Sequence, residues 1–149
     1  MNRLLDTPGQ YRQVPVTITN SPHKPPNWLD VPSHMRTMCD YVNANWDTAD
    51  LVHLASFVLW RLNWIHPFEN GNGRTSRAAS YMVLNVKHGR LLPSRNSIIE
   101  QIVGNRQPYY DALRAADDAY AQGAAPPVAL QTLQNMMSGM LKEQIKANL

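Results

Sequence analysis

Apolar residues recur every third or fourth position through Leu51, Leu54, Ala55, Val58, Leu62 and Ile65, the spacing that lines one face of an α-helix. Asp47 or Thr48 is expected to cap this helix. His66-Pro67 is expected to end it, because a proline disfavours the helical region for the residue before it. Residues 31–45 predict another helix, with Pro32 in the first turn, where a missing N–H costs little. Residues 74–87 predict a third, stopped by Lys87-His88-Gly89. A short helix is expected over 96–103, a longer one over 106–122 with Gly123 after its end, and a last one from Pro126-Pro127 to about residue 147.

The first thirty residues read differently. Val14-Pro15-Val16-Thr17-Ile18-Thr19 alternates and favours extended chain, and Asn20-Ser21-Pro22 reads as a turn. With Pro15, Pro22, Pro25 and Pro26 nearby, a short hairpin here would be an edge or a flap, not a central strand. The expected fold is all-α: a single domain with a small N-terminal β-hairpin flap, residues 1–30 forming the extended front and 31–149 the helical core.

At 149 residues, one domain is the natural reading, and a chain of that size buries roughly 70% of its unfolded surface. The hydrophobic fraction of 44% and charged fraction of 17% are ordinary for a globular chain. Cys39 is the one cysteine, so no internal disulfide forms, which fits a reducing compartment. The net charge of +3 permits a polyanionic partner. The basic residues are spread along the chain instead of clustered, so no nucleic-acid partner is expected. No run approaches the roughly 18 apolar residues of a spanning helix, and the start lacks a signal peptide's apolar stretch. No membrane association and a cytoplasmic location are therefore expected; a non-classical secretion route would leave no mark in such a sequence. No His/Cys cluster suggests zinc.

The chemistry concentrates in Ile65-His66-Pro67-Phe68-Glu69-Asn70-Gly71-Asn72-Gly73-Arg74-Thr75-Ser76-Arg77. Glycines around an asparagine let successive N–H groups converge into an anion-binding nest. The helix that follows adds its own free N–H groups and the positive end of its dipole. Arg74 and Arg77, three apart, project from one side of its first turn and suit forked contact with phosphate oxygens. Gly71, Asn72, Gly73, Arg74 and Arg77 are thus candidate phosphate ligands. The loop is not a Walker loop, since no Gly-Lys-Ser/Thr follows. His66 stands at the other lip, held by Pro67, as a candidate general base. Phe68 is a candidate apolar anchor for the loop. Taken singly, each feature has a plainer reading: a histidine at a helix end, a turn, a solvated pair of arginines. Their combination in twelve residues points to a site.

His66-Pro67-Phe68-Glu69-Asn70-Gly71-Asn72-Gly73-Arg74-Thr75-Ser76-Arg77 closely resembles the signature of the Fic family, His-Pro-Phe-x-acidic-Gly-Asn-Gly-Arg-x-x-Arg. Gly9-Gln10-Tyr11-Arg12 resembles the family's Gly-x-Tyr-Arg, residues 14–26 sit where the family has its flap hairpin, and Tyr109-Tyr110-Asp111-Ala112-Leu113 resembles a downstream helix. The resemblance implies transfer of AMP from ATP to a Ser, Thr or Tyr hydroxyl of a target protein. His66 would be the base, Gly71, Asn72, Gly73, Arg74 and Arg77 would hold phosphates, and the flap at Thr17 and Ile18 would align the target by main-chain pairing.

One departure stands out. The family's metal-binding acidic residue falls at Asn70, with Glu69 one position early. An asparagine carbonyl offers Mg²⁺ an oxygen without charge, so weak binding is expected. A transferase using another nucleotide or phosphoryl donor, or a nucleotide-binding pseudoenzyme or interaction module, is the alternative reading. The family's inhibitory pattern Ser/Thr-x-x-x-Glu-Gly/Asn fits none of Glu69, Glu100 or Glu143, which leaves room for a separate antitoxin-like inhibitor. His53 reads as packing beside Trp60 and Trp64, and His23, His34 and His88 as surface. Tyr109 and Tyr110 read as core, surface or base contacts, and Met136, Met137 and Met140 as core or oligomer contacts.

Overall fold

A computed structural model describes residues 8–149; the first seven residues of the expected front lie outside it. A 3₁₀ turn at Trp28–Asp30 leads into seven helices: α1 Val31–Ala44, α2 Leu51–Ile65, α3 Asn72–His88, α4 Ile98–Gly104, α5 Arg106–Ala121, α6 Pro126–Ala129 and α7 Gln131–Lys146. Helix α2 is the axle. Every residue from His53 to Leu62 is buried, as expected of a helix apolar on most of its circumference. It packs against α1, α3, α5 and α7. Leu54, Leu59, Trp60, Ile65, Leu84, Ile102, Tyr109, Leu130, Leu133 and Met137 close the core around it.

Caps explain the helix bounds. Asp50, not Asp47 or Thr48, caps α2: it is extended at ψ 166° and its carboxylate accepts the His53 N–H at 2.8 Å. Residues 45–49 are spent on turns closed by the Asn45 carbonyl. A full capping box of Ser97 and Glu100 starts α4 two residues later than the sequence suggested. The last helix is broken at Leu130 into α6 and α7. Gln144 of α7 is fully buried and accepts the Ile98 N–H at 3.0 Å, while its amide donates to the Tyr81 hydroxyl at 2.9 Å and the Pro93 carbonyl at 2.6 Å. One side chain thus pins α7 to α3 and to the α3–α4 connection.

The expected β-hairpin does not form: among the described residues there is no strand. Residues 14–26 make an extended strap with a turn closed by Ser21 N–H to the Ile18 carbonyl at 3.3 Å, Asn20 sitting at φ 58°. The turn spans residues 18–21 instead of the expected Asn20-Ser21-Pro22, and the arms do not pair. Pro15, Pro22, Pro25 and Pro26 have no N–H to contribute to a ladder, and the strap is tied down by a side chain instead.

That side chain is Arg12, only 2% exposed. Its guanidinium donates to the carbonyls of Val14 (3.1 Å) and Pro26 (2.6 Å), the two ends of the strap, and of Ile65 (3.3 Å) and His66 (2.7 Å), the end of α2. Its backbone N–H donates to the Pro67 carbonyl at 2.8 Å. A buried cation is tolerated where its donors are satisfied, and here four carbonyl oxygens satisfy them.

Candidate active site

The site is built where α2 ends and α3 begins. His66 terminates α2 in the left-handed conformation (φ 52°, ψ 60°), its N–H still donating to the Leu62 carbonyl at 2.9 Å. Pro67 denies it the helical region, and the left-handed alternative is uncommon for a non-glycine residue. Arg12 fastens the carbonyls on both sides of it. The imidazole Nδ1 lies 3.4 Å from the Asn63 carbonyl oxygen, which favours the proton on Nδ1 and leaves Nε2 as the acceptor. Burial holds this imidazole below its ordinary value of 6.5; the Asn63 carbonyl opposes that shift, and the positive Arg12 and His23 reinforce it.

Across from it the loop is braced by Asn72. Its Oδ1 accepts the Phe68 N–H at 2.9 Å and its Nδ2 donates to the Phe68 carbonyl at 2.8 Å. The side chain is buried, so Asn72 gives a ligand its backbone amide only. Phe68 is anchored chiefly through these two backbone bonds, its half-buried ring meeting Tyr11 at 6.0 Å. Gly71 takes φ 76° as the residue before α3, and the first intrahelical bond runs from Thr75 N–H to the Gly71 carbonyl at 2.9 Å. The amides of Asn72, Gly73 and Arg74 therefore have no helical partner and crown the dipole's positive end.

Both arginines fold back over the glycines, as long helical side chains do. A Cβ on Gly71 would lie 3.3 Å from Nη2 of Arg74, and one on Gly73 would lie 3.1 Å from Nη1 of Arg77. The glycines leave room for this: a Cβ at either place obliges the facing guanidinium to shift by a few tenths of an ångström.

The polar break in α2 has a purpose the sequence reading missed. Asn63 Nδ2 reaches the Leu59 carbonyl (2.7 Å), Ser76 Oγ on α3 (2.9 Å) and the Tyr109 hydroxyl on α5 (2.8 Å), and Ser76 in turn donates to the Gly73 carbonyl at 2.8 Å. This knot fixes the first turn of α3 against α2 and α5. Tyr109 is buried, which raises its hydroxyl above its usual range, while Ser76, Asn63 and Arg77 draw it the other way. Its role is to hold the knot. Asn63 and Arg61 interrupting an apolar helix was the available signal.

These parts wall one cavity of about 810 Å³. His66, Glu69, Asn70, Gly71, Asn72, Gly73, Arg74 and Arg77 line one side of it. The strap, with Thr17 and Ile18, covers another, and α5 closes the third with Arg106, Tyr110, Arg114 and Asp117. The structure thus brings together all the residues singled out in the sequence except Phe68, which braces the loop from behind. It adds Arg106, Arg114 and Asp117 of α5, which nothing local marked. Asp117 receives the Trp60 indole N–H at 2.9 Å; burial raises its carboxyl, and that hydrogen bond and His23 partly offset the rise. His23, expected at the surface, is half-buried and lines the cavity, its Nε2 2.9 Å from the Trp64 carbonyl.

A helical domain with a histidine-bounded glycine loop at a helix start is the arrangement of Fic proteins, and comparison bears this out. Residues 1–84 match the model of the Fic/DOC family, to which the chain belongs. It is similar to a probable protein adenylyltransferase of Aquifex aeolicus, 28% identical over 113 residues, covering 76% of this chain and 32% of that protein. Its fold is similar to a Fic domain containing signaling protein from Bacteroides thetaiotaomicron (TM-score 0.73, 22% identity, covering 93% of this chain and 53% of that one). It is also similar to a Fic family protein from Desulfovibrio desulfuricans (TM-score 0.75, 23% identity, 97% and 42%). The chain thus spans about a third of the curated relative and about half of the two solved structures. No helix among the described residues is long and apolar enough to cross a membrane.

Proposed function

We propose that this chain is a protein nucleotidyltransferase that moves AMP from ATP to a Ser, Thr or Tyr hydroxyl of a target protein. The observation that carries the reading is His66 facing, across one cavity, a helix start with three free amides and two arginines. The adenylyltransferase name of the Aquifex relative supports the same direction.

The triphosphate lies on the amides of Asn72, Gly73 and Arg74 with Arg74 and Arg77 over it. The target hydroxyl approaches from the strap, where the Thr17 peptide has no intramolecular backbone partner among the described residues and can pair with an extended segment. His66 Nε2 takes the hydroxyl proton as the oxygen bonds to the α-phosphorus. The bond from that phosphorus to the oxygen bridging to the β-phosphorus breaks, and pyrophosphate leaves with the electron pair. Amides and guanidiniums placed in advance stabilise the charge that gathers on the phosphoryl oxygens. A neutral base at working pH is what the depressed His66 pKa supplies.

A resident divalent ion fits the loop poorly. The one oxygen at the metal position is the neutral Oδ1 of Asn70, already accepting the Gly71 N–H at 2.7 Å. Among the described residues no three His, Cys, Asp or Glu side chains come together, whereas Mg²⁺ is held chiefly by carboxylates, phosphates and water. A target protein with a hydroxyl side chain is the partner this reading calls for; inhibition would come from a separate antitoxin-like chain or from a region outside this polypeptide, or not exist, and the cytoplasm is the proposed compartment.

The test is incubation with α-labelled ATP and candidate targets, read by label transfer and intact mass. Transfer that vanishes in His66→Ala supports the reading. Absence of both transfer and hydrolysis with every nucleoside triphosphate would sink it. Asn70 favours a second reading, a module that binds nucleotide without turnover. Asn70→Asp separates the two: a gain of transfer marks a weakened enzyme, and binding without turnover in both forms marks a module.

A further inference from the structure

We propose that the cavity binds its nucleoside triphosphate without a divalent cation, guanidinium groups supplying the positive charge, with Arg106 of α5 as the added contact. The inference rests on the nucleotide reading above and goes beyond it.

The argument begins with the donor set. Asn70 cannot contribute charge, and its oxygen is turned onto the loop's own backbone. Glu69, the loop's single carboxylate, is exposed at the neighbouring position. Four arginines nevertheless line the cavity: Arg74, Arg77, Arg106 and Arg114. The first two belong to the loop. The other two stand on the opposite wall, where Arg106, Tyr110 and Arg114 follow at intervals of four and so share one face of α5.

Arg106 sits at the phosphate end of that wall. Tyr109, less than one turn further on, reaches Asn63 with its hydroxyl, and Asn63 also holds Ser76 in the first turn of α3. Arg106 opens α5, about 5 Å along the helix axis from the Tyr109 backbone, and lines the same cavity as Asn63 and the first turn of α3. It is exposed and has no carboxylate partner among the described residues. Of the three acids in the lining, Asp111 accepts from the Gln107 amide at 2.8 Å and Asp117 from the Trp60 indole, while Glu69 is exposed one position before Asn70. A polyphosphate entering here meets fixed guanidiniums on two sides, and guanidinium is the side chain best matched to phosphate oxygens.

The experiment is calorimetric titration of the full chain with ATP, once in EDTA and once in excess Mg²⁺, for the natural sequence, Arg106→Ala, Arg106→Lys and Asn70→Asp. For the natural sequence the two dissociation constants are expected within about threefold of each other. In EDTA, Arg106→Ala weakens binding by about tenfold or more, the value of a lost charge-assisted hydrogen bond, and Arg106→Lys restores part of it. Asn70→Asp binds more tightly with Mg²⁺ than without. Arg106 is exposed, so a circular dichroism melt matching the natural sequence identifies the loss as one of contact. ATP binding that requires Mg²⁺, or Arg106→Ala titrating like the natural sequence in EDTA, overturns the inference and leaves the transferase reading standing. No binding of ATP or of any other nucleoside triphosphate under either condition overturns both.

Discussion

Arg12 Nε donates to the carbonyl of His66 at 2.7 Å. The same guanidinium holds both ends of the strap at Val14 and Pro26. The residue proposed as the base and the segment proposed to present the target are therefore set by one side chain. It acts on peptide groups and leaves the imidazole free to face the cavity.

Removing this guanidinium is expected to damage both. Arg12→Met leaves four buried or half-buried carbonyls short of a donor and should cost about 2–3 kcal/mol or more. Arg12→Lys retains the charge but not the fork, so it should recover only part. Urea denaturation gives the stability. At a temperature where both variants are folded, a larger fall in kcat than in nucleotide affinity is expected, because the amide cradle does not depend on Arg12.

His66→Ala should reduce label transfer by at least about 10²-fold, the usual contribution of a general base. ATP affinity should change little, since the proposed seat of the phosphates is α3. A variant that loses binding and transfer together would place His66 among the phosphate ligands instead.

The pH profile follows from the sign of the His66 shift. The base works when neutral, and burial lowers its pKa below 6.5. The neutral fraction in the ligand-free protein is thus already high below that pH, and the acid limb of kcat/KM, which reports the free enzyme, is expected to have its His66 midpoint under 6.5 and a plateau by neutrality. A midpoint above 6.5, measured by transfer rate across buffers of constant ionic strength, would contradict the burial argument.

The two loop glycines should separate. Gly71→Ala forces a side chain into φ 76°, at a cost of about 1–2 kcal/mol, and also crowds Arg74. Gly73→Ala has no positive φ to strain, but its Cβ comes within 3.1 Å of Arg77. It should keep near-natural stability and weaken ATP binding several-fold, about 1 kcal/mol, as Arg77 moves aside. Thermal melts and ATP titrations of both variants check this.

Gln144→Leu tests the fold away from the site. It leaves the Ile98 N–H, the Tyr81 hydroxyl and the Pro93 carbonyl without their partner, for an expected loss of about 2–3 kcal/mol. Nucleotide affinity of the folded protein should be unchanged, because α7 does not line the cavity.

What the sequence determined by itself was local. The period of α2, its end at His66-Pro67, the stop at Gly89 and the glycine loop all depend on residues a few positions apart, and each appears where the pattern put it. The candidate phosphate cradle was legible because its loop, helix start and both arginines lie in twelve consecutive residues. Only the tertiary structure decided what faces them. Periodicity says that α5 has an apolar face; it does not say that the opposite face, with Arg106 and Arg114, closes the cavity. The hydrogen bonds that assemble the site join Asn63 to Tyr109, Trp60 to Asp117 and Arg12 to His66, pairs 46, 57 and 54 residues apart. The same holds for the strap. Its alternating residues favoured a hairpin, but its prolines lack the donors a ladder needs, and the Arg12 guanidinium instead ties the Val14 and Pro26 carbonyls of the strap to the Ile65 and His66 carbonyls at the end of α2.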